Sequence, residues 1–186
     1  MRVPRDAPDA DRLEGRTWVF GADVNTDDMY PGFAMKLPIH EAARHMFDAS
    51  RRGWPELVQH GDIVIGGRGF GIGSSRAVPL LFRDLGVQCI IAERFNSLFF
   101  RNCVNYGLPA LEVTGISELV SEGDIVRVDW QASEVVNLAT DESLPFRPLP
   151  TLLMEILSAG GVVAKLEGEG YLQLPEGFHI SASGGA

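Results

Sequence analysis

Short apolar runs alternate along this chain with segments whose apolar residues recur at helical spacing, and glycine-rich turns separate them. The runs at residues 62–65 and 87–92 are nearly uninterrupted, as in strands buried on both faces of a parallel sheet. Residues 75–85, between them, have the spacing of a helix, and Gly86 is the expected C-terminal stop. The pattern therefore predicts a strand–helix–strand crossover with the usual right-handed connection.

The same patterns predict further elements on both sides of this unit. In chain order they are a short strand at 18–20, helices at 38–47 and 95–107, a strand at 108–113, strands at 124–129 and 133–138, and a helix at 152–157. The last two strands alternate apolar and polar residues around a short polar turn, which favours an antiparallel hairpin. After a proline-rich connector at 145–150, Thr151 is expected to cap the last helix and Gly160-Gly161 to end it.

This order of elements predicts a single α/β domain in which antiparallel strands extend a parallel core. Residues 1–14 are rich in Asp, Arg and Pro, so we expect them to form a mobile arm. Residues 175–186 finish in Ser-Ala-Ser-Gly-Gly-Ala and are expected to be a flexible tail. The domain should then span residues 15–174, long enough to bury a sizeable core.

Composition narrows the classes of partner. The chain of 186 residues is 45% hydrophobic and carries a net charge of −9, typical of a soluble globular protein. Its acidity argues against nucleic-acid or anionic-lipid partners, because phosphate binding needs clustered Lys and Arg. No apolar run approaches the roughly 18 residues of a membrane span, and the first residues lack the apolar core of a signal peptide. We therefore expect a cytoplasmic protein.

The two cysteines, Cys89 and Cys103, are too few for a self-contained iron–sulfur or zinc site, and the cytosol disfavours a disulfide between them. By count, the chain is expected to hold no metal of its own. Cys89 lies in an apolar run, where a buried thiol acts as a small hydrophobe. Burial is also favoured for Cys103, which lies in an apolar helical segment.

The most distinctive local feature is the glycine loop, defined here as residues 66–76, between a predicted strand and a predicted helix. Five of its first eight residues are glycine, which lets a backbone bend sharply or another molecule approach closely. Its end, Ser74-Ser75-Arg76, offers two hydroxyls and a guanidinium, and Arg76 can bind a carboxylate through two hydrogen bonds. We place these three residues at the helix start, where backbone N–H groups would add to the attraction for an anion.

Three known glycine motifs do not fit this loop. Its spacing is not the G-x-G-x-x-G of dinucleotide-binding folds, no Lys precedes the serine pair as in a phosphate-binding P-loop, and the second glycine of a G-x-S-x-G nucleophile elbow is missing. A purely structural glycine turn stays open as an alternative. A serine hydroxyl is also a weak base by itself, so a catalytic role for Ser74 or Ser75 calls for activating groups from elsewhere.

A second candidate is the polar loop, defined as residues 21–32, which follows the first predicted strand. Its short polar side chains can bind a ligand or merely cap turns, and both interpretations stay open for Asp23, Asn25, Asp27 and Asp28. The glycine and the terminal Glu of a calcium-binding loop are not at the required positions, so a calcium site is excluded. His40 and His45 are five residues apart, which does not give a pair of metal ligands on one helix face.

Taken together, these segments resemble the small subunit of 3-isopropylmalate dehydratase, equivalent to the swivelling domain of the aconitase superfamily. In chain order, residues 21–27 resemble the family's G-x-N-I-D-T-D loop, 69–76 its F-G-x-G-S-S-R signature, 91–95 its I-A-x-S-F, 99–103 its Y-x-N-C, 105–109 its N-G-L-P and 152–161 its closing L-L-E-I-L-x-A-G-G. The resemblance covers about residues 18–166. It implies a β/β/α swivelling domain of the aconitase C-terminal type, with a mixed parallel and antiparallel sheet or barrel flanked by helices.

The resemblance also implies chemistry. This chain would be the small subunit of a hydro-lyase or isomerase that removes water from a small 2-hydroxy di- or tricarboxylic acid and adds it back, active only with a large subunit. The large subunit would hold a four-iron cluster, and no cofactor would be bound by this chain. Ser74 would be the general base, while Ser75 and Arg76 would bind the substrate carboxylate beside Gly73. Activating cations in the partner would then offset the weak basicity of Ser74.

The resemblance assigns two further groups of residues. The segment that reads the substrate's variable side group comprises Tyr30, Pro31, Gly32, Phe33, Ala34 and Met35. Support of the loop or contact with the partner falls to Asp23, Asn25, Thr26 and Asp27.

Two departures from the family pattern leave the substrate open. Ala77 follows Arg76 where the family usually has Glu, and Ala34 stands where a larger residue is usual. A paralogue acting on another malate derivative, of the citraconate, dimethylmalate or homoaconitate type, is therefore an alternative. A non-catalytic binding module that keeps the swivelling fold is the alternative from another class.

Overall fold

Seven strands form one mixed sheet in the computed structural model, which describes residues 12–73 and 75–175. The strands are β1 (Arg12–Val19), β2 (Ile63–Gly66), β3 (Cys89–Ala92), β4 (Ala110–Glu112), β5 (Ile125–Asp129), β6 (Glu134–Asn137) and β7 (Glu142–Pro145). Their order across the sheet is β4-β3-β2-β1-β5-β6-β7. The pairs from β4 to β1 are parallel and those from β1 to β7 are antiparallel, which confirms the predicted parallel core with an antiparallel extension.

The central parallel strands are buried on both faces. In β2, Val64 packs into one core together with the helices, whereas Ile63 and Ile65 pack into a second core against β5 and β6. In β3, Ile90 and its neighbour Cys89 divide between the two cores in the same way. Alternate side chains of a strand point to opposite faces, so the uninterrupted apolar runs in the sequence match this double burial.

Strand β1 begins at Arg12, well before the predicted start at residue 18, so that prediction is wrong. Residues 12–14, assigned to the mobile arm, lie in this strand and pair with β5, while residues 1–11 lie outside the described residues. Charged side chains alternate with inward-facing ones: Arg12 pairs with Asp129 at 2.9 Å, and Glu14 accepts a hydrogen bond from Arg127 at 2.6 Å. Because the solvated face of this strand carries charged side chains, its first residues were not predicted as a strand, although inward-facing and outward-facing positions alternate with period two.

Asp62, at the start of β2, links the two central strands. Its carboxylate accepts hydrogen bonds from Trp18 Nε1 at 2.6 Å, from Arg16 Nη2 at 2.7 Å and from the backbone N–H of Gln59 at 2.9 Å. Burial acts to raise the pKa of Asp62, but these donors and the charge of Arg16 outweigh it and leave the pKa below its ordinary value. The Arg16 guanidinium also lies over the Trp18 ring, 4.7 Å from its centroid.

Eight α-helices surround this sheet in the described part of the chain. They are α1 (Thr26–Met29), α2 (Ile39–Ala43), α3 (Trp54–Leu57), α4 (Val78–Asp84), α5 (Ser97–Asn105), α6 (Ile116–Leu119), α7 (Thr151–Ala159) and α8 (Val162–Gly168), with a 3₁₀ turn at Gly32–Lys36. The predicted helix at 38–47 is regular only over α2. The N-cap of α7 is Pro150 rather than Thr151, and no side chain caps that helix, so the predicted Thr151 cap is wrong.

Helices α5 and α7 meet at their C-terminal ends. The Arg83 Nη1 group of α4 donates to the carbonyls of Tyr106 and Gly160, the C-cap residues of these two helices. Arg83 thereby satisfies a carbonyl at the end of each helix, where intrahelical partners are missing. Burial lowers the pKa of the Arg83 guanidinium. The predicted tail is therefore preceded by a docked helical pair, and residues 176–186 lie outside the described residues.

Candidate active site

The polar loop and the glycine loop lie side by side because they follow β1 and β2, which are neighbouring parallel strands. Backbone hydrogen bonds join them along their length: Asp23 N–H donates to the Arg68 carbonyl at 2.7 Å, and Thr26 N–H donates to the Ile72 carbonyl at 2.7 Å. The Val24 carbonyl accepts from the N–H of Gly71 at 2.9 Å. The two candidate segments of the sequence therefore form one surface at the carboxyl edge of the parallel strands.

Two glycines show why the glycine loop needs residues without side chains. Gly71 has φ +83, and a Cβ there would lie 2.1 Å from the Phe99 ring. Gly73 has φ +115, and a Cβ there would lie 2.5 Å from Asn25 Oδ1. Any other residue would be strained at both positions and would push the two loops, or the loop and α5, apart.

Ser75 and Arg76 precede α4 rather than opening it. The helix begins at Val78, with Ala77 as its N-cap residue and no side-chain cap. The prediction that the Ser-Ser-Arg segment lies at a helix start is therefore wrong, because Pro79 and the apolar residues that begin the regular helix come only after Ala77. The expected contribution of helix N–H groups to anion binding therefore does not apply at Ser75 and Arg76, since α4 begins two residues after Arg76.

Arg76 reaches across to the polar loop. Its Nη2 lies 2.8 Å from Asp27 Oδ1, and its Nη1 donates to the carbonyl of Tyr30. The Arg76 side chain is 17% exposed, whereas that of Asp27 is 60% exposed. Burial raises the pKa of the Tyr30 phenol, and the positive charge of Arg76 acts against this rise. The guanidinium thus lies at the junction of the two loops and is partly buried.

Ser75, which precedes Arg76 in the chain, is exposed, and a residue of α5 contacts it. Asn102 Nδ2 donates to Ser75 Oγ and to the Arg76 carbonyl, each at 3.4 Å. Asn102 belongs to the site although it was not a predicted site residue; the N-C pair of the family's Y-x-N-C segment was the signal for it. Ser74, the expected general base, lies outside the described residues, and its neighbours in the chain, Gly73 and Ser75, are both exposed.

The four polar residues of the first loop have different roles. Asn25 caps α1, since its side chain accepts from the N–H of Asp27 at 2.8 Å. Asp28 accepts a hydrogen bond from the Ser50 hydroxyl. Asp23 adopts a positive φ of 55 and is exposed. Among these four residues, Asp27 is the one whose carboxylate contacts Arg76. Thr26, also predicted as loop support, is buried at the start of α1.

The predicted specificity segment presents only some of its side chains outward. Tyr30 and Ala34 are buried, while Phe33 is 58% exposed and Met35 is 51% exposed. The Phe33 ring packs edge-on against His45, with ring centroids 5.1 Å apart. Pro31 precedes the 3₁₀ turn, and Gly32 begins it. Two large apolar side chains are thus exposed on the segment that begins beside Arg76.

A separate cleft of about 580 Å³ opens on the side of α6. It is lined by Val19, Phe20, Gly21, Ala22, Gly67, Arg68, Glu93, Thr114, Gly115, Ser117 and Glu118. Glu93 accepts hydrogen bonds from the N–H groups of Gly115 and Ser117, both at 3.0 Å. Burial acts to raise the pKa of Glu93, and these backbone donors outweigh it. None of Ser75, Arg76 and Asp27 lines this cleft, which is formed by the first residues of both loops together with residues around α6.

Both cysteines are buried, as expected. Burial raises the pKa of Cys89 to about 12 and raises that of Cys103 as well, so neither thiol ionises near neutral pH. Across residues 12–73 and 75–175, no three His, Cys, Asp or Glu side chains come together as a metal site. Within the same residues, none of the helices has the length and apolar character needed to cross a membrane.

Comparisons with known proteins agree on one family. The family model described as the aconitase C-terminal domain matches residues 43–115. The isopropylmalate/citramalate isomerase small subunit of Methanocaldococcus jannaschii is 41% identical over 83% of this chain and 94% of its own length. The 3-isopropylmalate dehydratase small subunit 1 of Methanopyrus kandleri is 36% identical over 86% of this chain and 95% of its own length.

A solved structure matches the whole fold. The crystal structure of a 3-isopropylmalate dehydratase from Methanocaldococcus jannaschii superposes with a TM-score of 0.80 at 31% identity, covering 86% of this chain and 96% of the other. This similarity confirms the predicted mixed sheet with flanking helices and the predicted aconitase-type architecture.

Proposed function

Because this chain belongs to the family of 3-isopropylmalate dehydratase small subunits, we propose that it acts as the small subunit of a heteromeric, isopropylmalate-type hydro-lyase. The enzyme would dehydrate and rehydrate a small 2-hydroxy dicarboxylic acid in the cytoplasm, and this chain would be inactive alone. The observation that carries the proposal is the position of Arg76, whose partly buried guanidinium lies where the two loops meet and which follows the exposed Ser75 in the chain.

The proposed division of labour follows from the chemistry of each group. Arg76 binds a substrate carboxylate, since a guanidinium matches a carboxylate with two parallel hydrogen bonds. Ser75 adds a hydroxyl donor, and Gly73 lets the substrate approach the backbone. Ser74 takes the proton that lies next to a carboxylate. Its alkoxide is costly unless nearby positive charge stabilises it, and Arg76 is two residues away in the chain.

The large subunit completes this proposal. It would carry the four-iron cluster, whose open iron, when the cluster is bound, would supply a Lewis acid for the substrate carboxylate and hydroxyl. This chain would close over that site, hold the substrate carboxylate and move the proton at the Ser74 oxygen. Neither a nucleic acid nor a membrane enters the proposed role.

The substrate side group is a second question, and one observation favours a choice other than isopropylmalate alone. Phe33 and Met35 are exposed on the segment beside Arg76, where they are placed to contact a side group or the large subunit. The relative from Methanocaldococcus jannaschii is named for both isopropylmalate and citramalate, whose side groups differ in size. We therefore propose, as the second candidate, an enzyme that accepts another malate derivative, of the citraconate, dimethylmalate or homoaconitate type.

The test is reconstitution. The chain is co-purified without oxygen with a large subunit from the same genome, and hydration of a panel of unsaturated diacids is followed by loss of their ultraviolet absorbance. We expect activity only when both subunits are present. Ser74→Ala should lower kcat about 10²- to 10⁴-fold, the usual contribution of a general base, whereas Ser75→Ala should mainly raise KM.

Ser158→Ala is the matched control, since Ser158 is an exposed serine on α7 outside the two loops. It should retain full activity. Full activity in Ser74→Ala would refute the assigned base. Failure to form a complex with any large subunit would favour the non-catalytic module, for which Ala77 next to Arg76 is the sequence hint. The diacid with the highest kcat/KM decides between isopropylmalate and the second candidate.

A further inference from the structure

We propose that Asp27 is a positioning residue for Arg76: it holds the guanidinium in the orientation that receives the substrate carboxylate. This inference rests on the proposed function, in which Arg76 binds that carboxylate. The residue that follows Arg76 is Ala77, which has no group to orient a guanidinium. The orienting carboxylate comes instead from the neighbouring loop, through the contact of 2.8 Å between Asp27 Oδ1 and Arg76 Nη2.

Two contacts in the described part of the chain hold the terminal nitrogens of the guanidinium. Asp27 contacts Nη2, and the carbonyl of Tyr30 accepts from Nη1. A guanidinium is rigid and planar, so contacts on both terminal nitrogens determine which edge it turns toward a third group. Asp27 lies in α1 and Tyr30 is its C-cap residue, so one short helix provides both contacts.

That helix is itself firmly anchored. Thr26 and Met29 are buried, and the N–H of Thr26 bonds to the Ile72 carbonyl of the glycine loop at 2.7 Å. On the other side, the carbonyl of Asp28 accepts from the N–H of Phe47 at 3.0 Å. The backbone that carries Asp27 is thus held by both neighbouring segments, and its carboxylate is a fixed reference for Arg76.

A role in stability alone does not account for this pair. The Asp27 side chain is 60% exposed although that of Arg76 is 17% exposed, and an ion pair whose carboxylate is open to water contributes little to folding because water and salt screen it. A positioning role depends on the orientation of the guanidinium rather than on the strength of the ion pair, since a small rotation is enough to misplace a bound carboxylate. We therefore expect a change at Asp27 to alter substrate binding far more than folding.

Removing the Asp27 charge has two opposite effects, and a matched control separates them. Loss of a negative charge near the site should by itself favour a dianionic substrate, whereas loss of orientation should disfavour it. Asp28 is the adjacent residue of the same helix and carries the same charge, but its carboxylate accepts from Ser50 and not from Arg76. Asp28→Asn thus changes the charge of the loop and leaves the Asp27–Arg76 contact in place.

The experiment uses the complex assembled with the large subunit and the best diacid of the panel. Asp27→Asn should raise KM about tenfold or more with a smaller change in kcat, because the carboxylate contact exists in both the ground state and the transition state. Asp28→Asn should keep KM within about twofold of the unaltered chain on the same reasoning. Asp27→Glu should recover part of the loss, since its carboxylate can still reach the guanidinium. An unchanged or lower KM in Asp27→Asn would overturn the proposal.

A second measurement needs neither substrate nor partner. In nitrogen-15 spectra of the isolated chain, a guanidinium that is held at both ends rotates slowly about its Nε–Cζ bond and gives separate Nη signals for Arg76. We expect these signals to merge in Asp27→Asn and to stay separate in Asp28→Asn. Identical spectra for Asp27→Asn and the unaltered chain would refute the positioning role. If no diacid reacts, the proposed function fails, yet merged signals in Asp27→Asn alone would still support the contact as the one that orients Arg76.

Discussion

Replacing Gly71 with alanine tests whether the packing of Phe99 against the glycine loop requires a residue without a side chain at position 71. A Cβ at Gly71 would lie 2.1 Å from Cγ and 2.4 Å from Cβ of Phe99. Phe99 is buried in α5 and packs against Phe70 with ring centroids 5.7 Å apart, so its ring has little room to move away. Gly71→Ala should therefore cost both backbone strain and overpacking.

The two costs can be separated because Gly53 provides a control with nearly the same positive φ. Its φ is +81, against +83 at Gly71, but nothing lies within 4 Å of a Cβ built there. A left-handed conformation costs an alanine about 1–2 kcal/mol, and reduced freedom of the unfolded chain returns about 0.4–1 kcal/mol, so Gly53→Ala should cost about 1 kcal/mol. Overpacking against Phe99 adds about 1–3 kcal/mol, which gives about 2–4 kcal/mol for Gly71→Ala.

The assay is equilibrium unfolding in urea with one fixed slope for all variants. In thermal unfolding the same difference should appear as a melting temperature lower by about 2–4 °C per kcal/mol. The double variant Gly71→Ala/Phe99→Ala should recover about 1 kcal/mol relative to the sum of the single changes, because alanine lacks the Cγ that would lie 2.1 Å from the new methyl group. Equal losses for Gly71→Ala and Gly53→Ala, or strict additivity with Phe99→Ala, would refute the assigned clash.

Three further predictions concern folding. Asp62→Asn should cost about 2 kcal/mol at pH 7 by urea unfolding. Because the folded-state pKa of Asp62 is depressed, this contribution is fully present above the ordinary carboxyl value of 3.8 and should disappear as pH falls through the lower folded value, so the two unfolding curves should converge in acid. Arg83→Lys should cost about 1–3 kcal/mol and speed hydrogen exchange in α7, because an ammonium on a single stem cannot reach both helix ends, and unchanged exchange would contradict this cap. Cys89 and Cys103 should react with a disulfide reagent only in denaturant, and rapid labelling of the folded chain would contradict their burial.

The parallel core could be predicted from the sequence because its strands are buried on both faces and read as apolar runs. Elements at the edge of the fold were harder to predict from the sequence. Strand β7 (Glu142–Pro145) is mostly exposed and pairs on one side with β6, so it carries no apolar pattern, and the connector predicted at 145–150 begins on its last residue. Helix α8 was missed because none of its residues is buried, and it packs against α7 and α5 through partly buried or exposed residues. An apolar pattern in the sequence arises where residues are buried, and these two segments have few or no buried residues.

The same distinction applies to the residues of the candidate site. Some are close together in the sequence, and others are brought together only by the order of the strands. The glycine loop with Ser75 and Arg76 could be recognised as a candidate site because its residues are neighbours in the sequence. For Asp27, the sequence left a capping role and a binding role equally open. The contact of Asp27 with Arg76 follows from topology: β1 and β2 are parallel neighbours, so the loops that follow them meet at one edge of the sheet. Once that adjacency is known, a carboxylate in one loop and a guanidinium in the other are expected to pair. The residues that the sequence placed at a helix start thus lie instead where two loops meet, and the guanidinium of Arg76 contacts Asp27 and the carbonyl of Tyr30 from the neighbouring loop.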